Sequence, residues 1–219
     1  MRSFLVRLLN LMTGLLFYAF GIVISIKANI GYAPWEVFHV GLTYKTGLSL
    51  GLVSIIVGVV IVIIVTILRE KLGIGTIFNM VFIGFFIDMI FPRIPISKNP
   101  IAGTIILISG LFLIAIGSYF YMKSAFGVGP RDNLMVVLAK RTKMPVGLCR
   151  GIIELLVTLI GWLLGGMVWF GTIISVVAIG FCIQLVFRLL RFDVTSVKHE
   201  TLGETYATLR RIIPWKMKG

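Results

Sequence analysis

The residues best equipped for chemistry are a few carboxylates and arginines set in a very apolar chain. Glu36 and Asp132 each sit two residues after a proline, in Gly31-Tyr32-Ala33-Pro34-Trp35-Glu36 and Gly127-Val128-Gly129-Pro130-Arg131-Asp132. Both stretches follow one plan: Gly, any residue, a small residue, Pro, any residue, an acid. Proline suits the first position of a helix, and an acid two residues later answers the free N–H groups of the first turn. Two readings are open. The stretches are well-made helix starts and nothing more, or they are broken helices that bring a positive N-terminus and exposed backbone into a membrane, where such ends bind ions and small polar solutes. Trp35 and Arg131 are the unmatched neighbours, so one copy offers stacking and the other charge. His39 lies one helical turn beyond Glu36 and is either its partner or a plain interfacial residue.

Further ionisable groups fall inside apolar runs. Asp88 stands near the end of Phe85-Phe86-Ile87-Asp88-Met89-Ile90-Phe91, and Glu154 lies four residues after Arg150. Ionisable groups at membrane depth are costly unless they face protein or water, which makes them functional candidates. The plainer alternatives are an intrahelical ion pair for Arg150 and Glu154, and an interfacial position for Asp88. Asn79 carries an amide that needs a partner if buried. No GxSxG, HExxH, Walker loop or paired-Cys metal spacing occurs, and the chain has only two histidines. The expectation is therefore no enzyme, no cofactor and no metal site. Cys149 and Cys182 read as structural thiols.

The elements that must position these groups are repeated. The two proline stretches lie 96 positions apart (31 to 127), and the same ungapped shift carries Gly14 onto Gly110, Gly21 onto Gly117, Gly51-Leu52 onto Gly147-Leu148, Gly75-Thr76-Ile77 onto Gly171-Thr172-Ile173 and Ile83-Gly84-Phe85 onto Ile179-Gly180-Phe181. A constant offset over most of the chain is the mark of a duplication. The hydrophobic fraction is 58% and the mean hydropathy +1.06, which belongs with membrane proteins. Six runs are long enough to cross a bilayer: 8–26, 50–68, 72–91, 101–122, 147–168 and 169–190. Residues 34–46 and 130–142 predict helices too short to span, either re-entrant or interfacial.

The net charge of +13 does not indicate nucleic acid, because the basic residues collect in the loops between apolar runs. With the N-terminus inside, only Lys27, Lys45, Arg93 and Lys98 of the 21 Lys and Arg residues fall outside. The positive-inside rule thus predicts six transmembrane helices with both termini cytoplasmic. Three spans per repeat put the second copy upside down, so the fold class is an all-α polytopic membrane protein of two inverted three-helix repeats, residues 1–96 and 97–190. Residues 191–219 form a basic cytoplasmic tail. There Thr201-Leu202-Gly203-Glu204 predicts a capping box and a short helix to about Ile213, with Leu202, Leu209, Ile212 and Ile213 as an apolar stripe near the inner membrane surface, or else a frayed end.

Gly127-Val-Gly-Pro-Arg-Asp132 with Leu134-Met135 and Lys140-Arg141, together with Arg150-Gly-Ile-Ile-Glu154, Gly165-Gly166, Gly171-Thr172, Gly31-Tyr-Ala-Pro-Trp35-Glu36, Gly41-Leu42, Ile74-Gly75-Thr76, Asn79 and Asp88, resembles the YczE/YyaS group of bacterial membrane proteins, related to the YitT group. The resemblance covers roughly residues 10–190. This chain departs from it at Ala33 and Glu36, where Gly and Asp are expected, and at Trp169, where a small residue is expected. What the resemblance implies is a multi-pass inner-membrane protein regarded as a transporter, without an assigned substrate.

The sequence thus leads to a small secondary transporter of the cytoplasmic membrane, its substrate unnamed and its cycle ion- or proton-coupled. The candidate binding residues are Gly31, Pro34, Trp35, Glu36, His39, Asn79, Asp88, Gly127, Gly129, Pro130, Arg131, Asp132, Arg150 and Glu154. The rival is a non-transporting scaffold for a cytoplasmic enzyme or complex, working through the basic tail. The expected partners are the lipid bilayer, a small solute or ion and a second copy of the chain, with no nucleic acid.

Overall fold

The computed structural model describes residues 2–193 and 197–212. Among these there is no strand. The chain forms α1 (Arg2–Lys27), α2 (Pro34–Thr46), α3 (Leu50–Ile67), α4 (Ile74–Ile90, extended by a 3-10 turn to Arg93), α5 (Pro100–Lys123), α6 (Pro130–Thr142), α7 (Val146–Leu163), α8 (Phe170–Leu189) and α9 (Leu202–Ile212). Six of them, α1, α3, α4, α5, α7 and α8, are long and apolar enough to cross a membrane. Prolines open α2, α5 and α6, where a missing N–H costs nothing. Ser49 caps α3 by accepting from the Leu52 N–H, and Asn99 caps α5 through Ile101 N–H at 2.8 Å.

The duplication extends to the backbone. α2 and α6 begin and end 96 positions apart, as do α3 and α7. Four pairs of left-handed residues fall at the same offset: Asn29 and Ala125, Gly31 and Gly127, Gly47 and Lys143, Arg69 and Gly165. Hydrogen bonds repeat as well. Gly75 N–H donates to the Phe126 carbonyl at 2.8 Å and Gly171 N–H to the Ile30 carbonyl at 2.7 Å. Each bond joins a helix start in one half to the loop before the proline helix in the other. The two halves are thereby interlocked.

At the centre α1 and α5 run antiparallel. A Cβ at Gly14 would lie 2.8 Å from the Gly117 carbonyl oxygen, and one at Gly21 would lie 2.6 Å from that of Gly110. These two contacts are the same contact under exchange of the repeats. In lipid, helix association relies on such close van der Waals packing, since apolar burial gives little net drive there. Leu11, Leu15, Ala19 and Ile22 of α1 and Leu107, Leu111, Ile114 and Ala115 of α5 form the sealed core. Outside this pair, α4 packs on α1 and α8 on α5, α2 packs on α7, and α6 packs on α3. Where 147–168 reads as one run, α7 stops at Leu163. Gly165 turns the chain at φ +103°, and Gly166 lies against the Val37 carbonyl with no room for a Cβ.

The two peripheral pairs differ. α3 and α4 are in close contact: a Cβ at Gly84 would sit 2.5 Å from the Gly51 carbonyl oxygen and 2.5 Å from Ile55 Cγ1. Their counterparts α7 and α8 make no comparable packing, and a Cβ at Gly147, Gly151 or Gly180 would meet nothing within 4 Å.

The tail helix α9 begins as the capping box predicts, with Thr201 N–H donating to Glu204 Oε2 at 2.8 Å. It is tied to the protein at its start. Glu200 N–H donates to the Ala125 carbonyl and Leu202 N–H to the Leu72 carbonyl, both at 2.9 Å. Arg7 pairs with Glu200, donates to the Ser124 carbonyl at 2.8 Å and covers the Phe126 ring at 4.3 Å. Ile213, Lys216 and Lys218 lie outside the described residues, as do the side chains of Leu209 and Ile212.

Candidate functional site

The first turns of α2 and α6 meet, with Arg131 of α6 set against Trp35, Glu36 and His39 of α2. Each carries its acid at the third helical position, where a carboxylate meets the positive end of the helix dipole. Ala33 and Gly129 precede the prolines with nearly identical extended backbones, φ −66° and −62°. Any residue adopts that conformation, so Ala33 replaces a glycine without strain. The left-handed positions are Gly31 and Gly127, and each abuts the opposite half: Gly31 lies against Thr172 and Trp169, Gly127 against Gly73 and Thr76. These two glycines and Pro34 set the backbone and do not line the cavity.

Between the two helix starts lies a cavity of about 360 Å³. Trp35, His39, Asn79, Gly129, Pro130, Arg131, Asp132, Arg150 and Glu154 line it, and Glu36 reaches it through Arg131. The Arg131 guanidinium lies over the Trp35 ring at 4.7 Å, pairs with Glu36 at 3.4 Å and approaches His39 Nδ1 at 3.4 Å. The unmatched pair Trp35 and Arg131 is thus a single stacked unit joining the two halves. His39 is buried, at 3% exposure. Arg150 and Glu154 do form the intrahelical pair, at 2.8 Å, with both residues on the cavity wall. Asp132 is exposed to the cavity, and its Oδ2 is 3.4 Å from where a Cβ of Gly129 would stand.

Asp88 does not join this cluster. Its carboxylate accepts from Ser49 Oγ and, at 2.7 Å, from Gly51 N–H, so it fastens α4 to the start of α3. It lines a second cavity of about 520 Å³ with Lys27, Tyr32 and Tyr44, in which Lys27 lies 3.8 Å over the Phe91 ring. Burial there, helped by Tyr44, pushes the Tyr32 hydroxyl up to about 12.

Tyr18, Ser54, Ser118 and Tyr121 also line the first cavity and are absent from the sequence-derived set. Ser54 was discoverable, since the 96-residue shift carries it onto Arg150. The same shift carries Gly58, another lining residue, onto Glu154. One repeat therefore presents small side chains where the other presents charge: the frame is symmetric and its chemistry is not. Tyr18, Ser118 and Tyr121 come from α1 and α5, and only the crossing of those helices turns them inward. Three buried polar atoms in the lining have no hydrogen-bond partner in the protein: Trp35 Nε1, His39 Nε2 and the Tyr121 hydroxyl.

Comparison with known proteins agrees with this architecture. Residues 5–188 match the model of a family of unknown function, DUF6198. The chain is 36% identical over 174 residues to the uncharacterized membrane protein YczE of Bacillus subtilis, covering 78% of this chain and 80% of that one. It is 27% identical to an uncharacterized protein of Haemophilus influenzae, covering 75% and 76% of the two chains, and 27% identical to the uncharacterized protein YyaS of Bacillus subtilis, covering 74% and 83%. No solved structure matches. With its six apolar helices and these relatives, the chain is a multi-pass membrane protein that belongs to the DUF6198 family, alongside YczE and YyaS.

Proposed function

We propose that this chain is a small secondary transporter of the bacterial cytoplasmic membrane, that its two repeats sit in inverted orientation with both termini cytoplasmic, and that solute binds in the cavity between α2 and α6. The observation that carries this reading is a gate built twice and packed once. Gly51 and Gly84 bring α3 against α4, and Asp88 fastens that contact. The equivalent Gly147 and Gly180 leave α7 apart from α8. With the positive loops inside, the packed gate is the outer one and the parted gate is the inner one. Exchange of these two arrangements, with α1 and α5 as the fixed pair, turns an inward-open cavity into an outward-open one. Identical folds in the two halves keep the states close in energy, which is what a carrier cycle requires.

The charges fit the same scheme. Arg131 bridges the two helix starts, so its contacts to Glu36 and His39 must loosen whenever α2 and α6 move relative to each other. Solute or a coupling proton that competes for Glu36 or Asp132 would release that bridge. Uptake into proteoliposomes tests the reading. The wild-type protein should accumulate a solute down an imposed ion or proton gradient, and Glu36→Gln and Asp132→Asn should each reduce the rate tenfold or more. Normal rates in both variants would remove these acids from the site, and no flux for any solute would remove the transporter.

The docked start of α9 favours a second reading, a scaffold that recruits a cytoplasmic partner. Deletion of 191–219 would then abolish function while the cavity acids stayed dispensable. The transporter predicts the reverse.

A further inference from the structure

The geometry points to a small zwitterion, bearing one carboxylate and one ammonium group, as the solute of the cavity. The inference rests on the transporter reading and narrows it by hydrogen-bond accounting. The Arg131 guanidinium can only donate, so His39 Nδ1 accepts at 3.4 Å and the ring proton of the neutral imidazole lies on Nε2. His39 Nε2–H and Trp35 Nε1–H are then both donors without a partner, and the Tyr121 hydroxyl is free to be a third. The three residues are 3%, 7% and 3% exposed and all belong to the cavity wall, with these polar atoms closed to solvent. Buried donors are normally satisfied, and three unmatched ones on residues of a single cavity wall call for acceptor oxygens that a bound solute would supply as the lining adjusts around it.

The acceptor side is equally uneven. Glu36 is paired with Arg131 and Glu154 with Arg150. Asp132 and Glu154 are the carboxylates of the cavity wall, with Glu36 behind Arg131, and among the described residues Asp132 has no cation within 4.0 Å. Three carboxylates face two guanidiniums, leaving one negative charge in excess while His39 is neutral. A bare carboxylic anion would satisfy the donors but double that excess. A bare amine would satisfy Asp132 and leave three donors unmatched. A molecule with both ends answers each deficit and leaves the total charge unchanged. At about 360 Å³ the cavity stands at the lower end of small-molecule sites, which suits a solute of amino-acid size.

Calorimetry on the purified full-length protein, with matched probes, decides the matter. One set is alanine, ethylamine and propionate, and a longer one is 4-aminobutyrate, propylamine and butyrate. The expected result is millimolar or tighter binding of the zwitterion in at least one set, at least tenfold better than either singly charged partner. Trp35→Phe keeps a ring beneath Arg131 and removes one N–H. It should weaken binding about tenfold with an unchanged melting temperature. Asp132→Asn should cut zwitterion affinity and spare the carboxylate. An amine or a carboxylate that binds as well as its zwitterion overturns the inference, and so does silence across both sets. The same probes separate it from its premise. Zwitterion binding without flux in proteoliposomes refutes the transporter and keeps the ligand class. Flux of a solute that is not a zwitterion refutes the class and keeps the transporter.

Discussion

Replacing Gly84 and Gly180 by alanine, one at a time, puts the same methyl group at the same place in two copies of one fold. In the packed gate the new Cβ would stand 2.5 Å from the Gly51 carbonyl oxygen and 2.5 Å from Ile55 Cγ1. An ordinary contact needs at least 3.4 Å, so α3 and α4 must separate by roughly 0.9 Å, with backbone on one side of the clash. Overpacking of this kind costs about 1–3 kcal/mol. Removing a mid-helix glycine returns about 0.5–1 kcal/mol in both variants. Gly84→Ala should therefore be destabilised by about 1–2 kcal/mol, while Gly180→Ala, whose Cβ meets nothing within 4 Å, should be neutral or slightly stabilised. Thermal unfolding in detergent reads this difference. The proposed transport cycle would reverse the ranking of effects: in the other state Gly180 would approach Gly147 as Gly84 now approaches Gly51. A cysteine at Ser118 on the cavity wall, in a Cys149/Cys182-free background, reports it through an impermeant thiol reagent added outside. Gly84→Ala should wedge the outer gate and raise labelling several-fold, whereas Gly180→Ala should lower it. Equal destabilisation by the two alanines would mean that α7 and α8 are packed as tightly as α3 and α4, and the gate argument would fall.

Topology has its own test. Tyr44, 66% exposed at the end of α2, and Lys140, exposed at the end of α6, should label as single cysteines from opposite sides of the membrane, Tyr44→Cys from outside and Lys140→Cys only after permeabilisation; labelling of both from one side would make the repeats parallel. Arg7→Ala removes the ion pair that ties down Glu200. It should free the tail by about 1–2 kcal/mol, discounted for the partial exposure of both groups, and limited proteolysis within 197–212 should accelerate about fivefold or more. Acid should act in the same direction. Burial lowers the His199 pKa, so the docked tail favours neutral imidazole. That contribution is complete above the ordinary value of 6.5 and fades as pH falls through it, so tail cleavage should quicken between pH 7 and 5 in wild type and not in His199→Gln.

Much of this architecture is written in residue types at a fixed spacing. Apolar runs of bilayer length declare the six spans, because a helix in hydrocarbon must satisfy its own backbone and show the lipid little else. Pro34 and Pro130 declare two short helices, because proline fixes φ and tolerates only the first turn. Thr201 and Glu204 declare the tail helix, because their bonds are local. All of these are interactions within a few residues, which a sequence records directly. The repeat offset also exposed equivalence between distant positions, such as Gly75 with Gly171.

What lay beyond the sequence depended on contacts between segments far apart in the chain. Asn29, Arg69, Ala125 and Lys143 adopt left-handed backbone, yet none is a glycine to announce it. Asp88 read as a binding candidate or an interfacial acid, and packing of α4 on α3 bonds it to Ser49 and Gly51. His39 read as a partner of Glu36 or an interfacial residue, and the approach of α6 buries it beside Arg131. Tyr18, Ser118 and Tyr121 enter the site through the α1–α5 crossing. The glycines do not announce the parted gate, since Gly147 and Gly180 match Gly51 and Gly84; the halves differ at Ser49, Ile55 and Asp88, whose counterparts are Pro145, Gly151 and Gln184. What those differences do to the helices is decided by packing between distant segments, which brings α3 against α4 and leaves α7 apart from α8.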